Sequence, residues 1–253
     1  MARGTPDGGY VNYGTAVNSS DPGQNTDRLL MGGGSIIKTG RVIWATGFEG
    51  ISSATDFNVS GAGALVTAGG VVTAWQGNNY MALVTQAVLN DSAGMVKYFP
   101  ASIQTGKWGV EAMIGLMGSL NSTFDFIVKK VGAPSPAPTV QGQIRFVVGA
   151  SAASVTMQYL NGSGAFVTLD NLGGLMAINT NVYYNMKLVV DFGSNLYSRF
   201  ILNNKIYDLS AISMYVTGSG ADEKSSVQFA NTTLDANAKT IAVDNVIITA
   251  DEV

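Results

Sequence analysis

From residue 41 onward, apolar and polar residues alternate in short runs, broken about every ten residues by Gly, Asn, Ser or Pro. The runs include RVIWATGFEG, GALVTAGGVVTAWQG, NYMALVTQAVL, GMVKYFP, KWGVEAMIGLMG, TFDFIVKKV, GQIRFVVGA, SVTMQYL and AFVTL. A period of two bounded by turn residues predicts strands. No window repeats apolar residues at i, i+3, i+4 and i+7 over three turns, so little helix is expected. The clearest stretch is NVYYNMKLVVDFGSNLYSRFILNNKIYDLS, residues 181–210. Tyr184, Met186, Leu188, Val190 and Phe192 form a predicted core-facing row. Tyr183, Asn185, Lys187, Val189 and Asp191 form a mostly polar outer row. GSN (193–195) turns the chain, and Leu196, Ser198, Phe200 and Leu202 then alternate with Tyr197, Arg199, Ile201 and Asn203. Asn203-Asn204 tolerates positive φ and suits a tight hairpin before KIYDL. QYLNGSGAFVTL (158–169) predicts a second hairpin centred on Asn161-Gly162. GAPSPAP (132–138) is expected as an exposed loop, because its prolines do not suit a central strand. Antiparallel hairpins without crossover helices predict an all-β, two-sheet sandwich.

Residues 1–40 follow no period and are rich in Gly, Asn, Ser and Asp, the composition of an extended arm. They still carry Tyr10, Tyr13, Leu29, Leu30, Met31, Ile36 and Ile37, anchor-type residues separated by flexible linkers. Such a segment is expected to order against a partner surface. The organisation expected is therefore an arm over 1–40 and a sandwich over 41–253.

Composition narrows the chemistry. Of 253 residues, 46% are hydrophobic, ample for one large core. Only 12% are charged, about half the usual share. The net charge of −3 is too small to steer the chain to nucleic acid. A surface built from Ser, Thr, Asn, Gln and Gly requires little desolvation of charge when two subunits meet. The absence of Cys removes disulfides and thiolate chemistry, and the absence of His removes the commonest general base and metal ligand. The N-terminal MARGTPDGGY has no apolar h-region, so no secretory signal is expected. No apolar run reaches the ~18–20 residues of a membrane span.

Candidate motifs give little catalytic promise. GGGSIIKTG (32–40) lacks the second glycine of a phosphate loop and precedes a strand rather than a helix. A glycosidase needs two carboxylates facing each other, yet Glu111 and Asp125 stand alone on their runs. The adjacent acid pairs, Asp222-Glu223 and Asp251-Glu252, fall in a loop and near the end of the sequence. A Ser-His-Asp triad is impossible without His. No enzymatic activity and no organic cofactor are expected. Trp44, Trp75 and Trp108 can stack on sugars, but aromatics are enriched in strands and packing is the favoured reading. Glu49, after the first strand, and Asp244, on the last, are a candidate Ca²⁺ pair if those strands are neighbours. The simpler reading is two solvated edge carboxylates. The Asn-x-Ser/Thr triplets, Asn121 and Asn161 among them, reflect composition rather than glycosylation.

TGFEG, WQGNNYMALVT and VDNVIIT resemble strands of jelly-roll carbohydrate-binding modules. LNGSGAFVTL together with NVYYNMKLVVDFGSNLYSRFILNNKIYDLS resembles, more specifically, concanavalin A-like (laminin-G-like) sandwiches. The arrangement of a Gly-rich arm, RVIWATGFEG and such a sandwich also resembles virion structural proteins of tailed bacteriophages. That resemblance implies a concanavalin A-like jelly roll that decorates or stabilises a capsid on the particle exterior. Its partners would be copies of itself and a major capsid or other virion protein. The alternative is a lectin-like carbohydrate-binding module with a glycan as its ligand.

Overall fold

The alternating runs zip into two antiparallel sheets that pack face to face. The computed structural model describes residues 40–48, 57–60, 64–68, 79–100, 106–131, 137–151, 154–173, 175–176, 178, 182–220 and 224–252. The expected arm, apart from Gly40, lies outside them. The first sheet runs in the order β13 (Lys205–Asp208), β12 (Leu196–Leu202), β11 (Tyr183–Asp191), β6 (Lys107–Leu116), β16 (Thr240–Ala250), β4 (Asn79–Val84) and β3 (Ala64–Ala68). A further strand, β1 (Arg41–Thr46), also pairs with β16. The second sheet runs β10 (Phe166–Asn171), β9 (Val155–Leu160), β8 (Ala137–Val148), β7 (Ser122–Val131), β15 (Lys224–Thr233), β5 (Ser92–Pro100) and β2 (Asn58–Ser60), with β14 (Tyr215–Gly220) on β8. The chain crosses between sheets repeatedly, for example from β4 to β5 to β6 to β7, as a jelly roll does. No helix occurs among the described residues, so none there could cross a membrane. The protein is an antiparallel jelly-roll sandwich of the concanavalin A-like kind.

The expected core row of β11 is buried, with Leu188 and Val190 wholly inaccessible. Aromatic side chains from the two sheets interlock between them. Phe146 of β8 meets Phe200 of β12 at 6.0 Å, and Phe99 of β5 meets Trp108 of β6 edge-on at 5.6 Å. Gly142 allows the sheets to approach here, since a Cβ at that position would lie 2.8 Å from Val190 Cγ1. Buried polar groups tie the layers together. The Tyr197 hydroxyl donates to the Leu160 carbonyl at 2.7 Å and accepts from the Gln143 N–H at 2.8 Å. The Asn231 amide donates to the carbonyls of Leu83 and Lys239 at 2.9 and 3.1 Å. At one open edge, Lys205 and Tyr207 of β13 both reach Asp170 of β10, at 2.6 and 2.7 Å. These hydrogen bonds, that of Lys205 first, hold the Asp170 carboxyl below the ordinary carboxylate range.

Local turn chemistry behaves as expected. Asn203 turns β12 into β13 at φ 52°. In the β9–β10 hairpin, the Asn161 side-chain oxygen accepts from the N–H groups of Ser163 and Ala165. Two expectations need correction. Tyr197, placed on the outer row by strict alternation, lies in the core, because Val190 pairs with Tyr197 while Val189 pairs with Arg199. The extra residue is a bulge, and one extra residue reverses the facing of everything beyond it. Pro138 belongs to β8 rather than to a loop. It sits at the strand's beginning and pairs with Ser219 of β14, a place where a missing N–H is tolerated. Residues 132–136 of that proline-rich stretch lie outside the described residues.

Leu188→Ala should destabilise the protein by about 2–5 kcal/mol through lost burial and a residual cavity. Urea unfolding of the two proteins measures it, and a change well below that range would contradict this placement in the core.

Candidate functional site

The two outer faces differ in how their polar residues are handled. On the first sheet, the row expected to face solvent is buried as well. Lys187 of β11 is 0% exposed, and Val189 beside it is equally closed off. Strand pairing sets Lys187 opposite Glu111 of β6, and sets Gly109 between Val189 and Thr249 of β16. Glu252 joins this face from beyond the end of β16, where Asp251 turns the chain at φ 57°. Its carboxylate lies over Gly109, where a Cβ would come within 2.6 Å of Oε1. Lys187 Nζ stands 2.8 Å from Glu252 Oε1 and 3.9 Å from Glu111 Oε2. Thr249 donates to Glu252 Oε1 at 2.5 Å, and Arg199 Nη2 reaches Oε2 at 3.3 Å. Two carboxylates and two cations therefore neutralise one another out of water. Glu111, expected to stand alone, shares this face with Glu252, assigned from sequence to a terminal acid pair. The turn at Asp251 brings them together, and nothing in the strand's alternation announces it.

Asp244 lies on the same sheet, buried at an irregularity in β16 between residues 244 and 247. Its Oδ1 accepts the N–H of Asn245, which adopts φ 46°. Burial pushes the Tyr183 phenol pKa far up, and the Asp244 charge and Tyr80 push it further. β1 does pair with β16, with Thr46 opposite Val246, so the neighbour relation behind the candidate Ca²⁺ pair exists. Glu49 itself lies outside the described residues. Among the described residues, no three acidic or histidine side chains gather as cation ligands.

The outer face of the second sheet is polar and only partly open: Gln141, Arg145 and Lys129 are half-buried, while Asp125, Ile127 and Gln143 are buried. Alternation places Gln141, Gln143 and Arg145 of β8 on it, opposite Lys129, Ile127 and Asp125 of β7. These side chains form a hydrogen-bonded ladder. Gln141 donates to Gln143 at 2.6 Å, and Gln143 donates to Asp125 Oδ1 at 2.7 Å. Arg145 grips the same carboxylate with Nε and Nη2, at 2.7 and 3.0 Å. Its guanidinium also lies 3.8 Å from the ring centroid of Phe166 on β10. Gln158 and Thr168 extend the row beyond Arg145 across β9 and β10, and Ala230 and Gly94 continue it beyond Asp125 with little or no side chain. Fixed planar donors and acceptors beside an aromatic ring suit hydrogen bonding to several hydroxyl groups at once. Sequence patterns did not single out this set, because it depends on cross-strand register from β7 to β10. The tryptophans are not part of it. Trp108 is wholly buried, as packing predicts, and Trp44 packs edge-on against Phe57 with Lys97 Nζ 5.1 Å from its centroid. Trp75 lies outside the described residues.

Neither a protein-family model nor a curated protein sequence matches the chain. Several solved structures match its fold. The conserved carbohydrate esterase of the Shiga toxin-encoding bacteriophage phi24B superposes with a TM-score of 0.57 at 12% identity, covering 84% of this chain and 100% of that one. The CBM2 module of the evolved Dit of Lactobacillus casei BL23 phage J-1 gives 0.53 at 11% identity, over 85% and 97% of the two chains. Cip1, a cellulose-induced protein, gives 0.51 at 17% identity, over 83% and 98%. At such identities the shared property is the sandwich, and phage proteins are among those that share it.

Lys187→Met should destabilise the fold by about 3–5 kcal/mol, because it leaves two buried carboxylates facing one fewer cation. Adding Glu252→Gln should recover part of that loss in denaturant titrations. No recovery would mean that Lys187 acts through packing alone.

Proposed function

We propose that this chain is a non-catalytic, carbohydrate-binding jelly-roll module of a tailed-phage particle. The observation that carries the reading is the ladder in which buried Gln143 and Asp125 hold the half-buried Gln141 and Arg145 in place beside Phe166 on the outer sheet face. Each group is held by its neighbour, so a saccharide meets donors and acceptors whose ordering cost is already met by the fold. The phage esterase and the phage CBM2 module with the same sandwich lend support, since both are named for carbohydrate. A non-catalytic role accords with the lack of His and with carboxylates engaged by cations: Asp125 by Arg145, and Glu252 by Lys187 and Arg199.

The full chain should bind members of a glycan panel. Gln141→Ala and Phe166→Ala should each weaken that binding, by about tenfold for a lost contact worth 1.4 kcal/mol. Both spare the Asp125–Arg145 pair and should leave the thermal midpoint nearly unchanged. A panel with no binding overturns the reading.

Capsid decoration through self-association and a major capsid protein is the second reading, favoured by the low charge and by the anchor residues within 1–40. Deleting residues 1–40 should then leave a folded sandwich that no longer assembles or binds particles. If the truncated protein assembles as well as the full chain, the decoration role is lost.

A further inference from the structure

We propose that the carbohydrate bound by this face is acidic, and that Lys129 and Lys224 hold its carboxylate or phosphate. The inference rests on the carbohydrate-binding reading and specifies its ligand class.

Pairing across the second sheet lines up Tyr98, Ser226, Lys129, Gln141 and Tyr215 in one row of the outer face. Lys129 thus occupies a central strand, directly beside the start of the amide ladder. It is half-buried, and among the described residues its ammonium makes no ion pair or hydrogen bond. Burial alone lowers its pKa, the mark of a cation stripped of water without a compensating partner. Lys224 is the diagonal neighbour, opposite Pro100 of β5 and two residues from Ser226, which faces Lys129. Such diagonal positions lie about 7–8 Å apart, a span that one anionic group can bridge. Lys224 Nζ also lies 5.6 Å from the ring centroid of Tyr98, which is 46% exposed.

Among the described residues, the one acidic side chain that strand pairing places here is Asp125. It is four residues from Lys129 along β7, about 13 Å at strand rise. Arg145 already neutralises it with two hydrogen bonds. Among the described residues, the face therefore has a neutral polar stretch and one end that carries Lys129 and Lys224, on a chain whose overall charge is −3. A neutral saccharide would satisfy the ladder and leave Lys129 as unpaired as before. An anionic group at that end would make charge-assisted hydrogen bonds to both ammoniums, while sugar hydroxyls engage Gln141.

Calorimetry on the full chain with matched probes tests this. The probes are an oligogalacturonate and its methyl ester, and a mannose-6-phosphate glycan and its dephosphorylated form. The acidic member of one pair should bind about tenfold tighter than its neutral partner, as one charge-assisted contact provides. The preference should shrink in high salt. The pair that responds identifies carboxylate or phosphate as the charged group. Lys129→Gln and Lys224→Gln should abolish the preference, whereas Gln141→Ala should weaken acidic and neutral members alike. Lys129→Gln should also leave the free protein as stable as before or more so, since it removes an unpaired cation; a destabilised variant would assign Lys129 a structural role. Neutral probes or panel glycans binding as well as acidic ones would overturn the acidic subsite and leave the carbohydrate reading standing. No binding to any probe or panel glycan would overturn both.

Discussion

Lys187 sits on a strand closed to water on both faces, and a charge in that position is tolerated only where other charges meet it. Much of the first sheet follows from this constraint. Glu111 must stand opposite it on β6, Glu252 must reach it from past the end of β16, and Arg199 must balance the second carboxylate. Gly109 must lack a side chain so that the Glu252 carboxylate can lie across β6. Even the left-handed turn at Asp251 belongs to the arrangement, since it redirects the chain toward the cluster. A stretch with little regular structure is thereby fixed by electrostatics rather than by apolar burial.

The second sheet solves a different problem with the same alternation. Its inner face contributes Phe124, Phe126 and Phe229, which stack on one another at 4.7 to 6.3 Å and fill the layer against the first sheet. Its outer face carries amides and an Arg–carboxylate pair that restrain each other, with Gln141 and Arg145 still reached by solvent and Gln143 and Asp125 buried beneath them. One face closes and neutralises itself, while the other holds its polar groups ready for something else. A sandwich can separate stability from recognition in this way because successive residues on a strand point to opposite sides.

The parts of this structure legible in sequence are those encoded locally. The β11 core row follows from a period of two, and the turns at Asn161 and Asn203 follow from residues that accept unusual backbone angles. Strict alternation misplaces Tyr197 on β12, because it cannot reveal an extra residue that pairs with nothing. The two charged clusters were illegible for another reason. Asp125 and Arg145 are 20 residues apart, and Lys187 and Glu252 are 65 apart, so their meeting is a matter of register and topology. Glu111 and Asp125 look alike in sequence, as lone acids on apolar strands. Only the pairing shows that one joins the Lys187–Glu252 cluster and the other the ladder of Gln143 and Arg145.

Lys187 and Lys129 put the same side chain into two environments, and the contrast separates structure from recognition. Both stand on central strands and both lose water on folding. Lys187 recovers the loss from Glu252 and Glu111 within the chain, so its charge is complete in the isolated protein. Lys129 meets Ser226 and Gln141 across its neighbouring strands, and neither carries a charge to offset its own. A chain with only 14 basic residues places one of them where burial strips it of water and no charge across the neighbouring strands meets it. Stability alone gives no reason to keep it there. A partner that arrives from outside, with a negative charge and at the end of a row of amides, does.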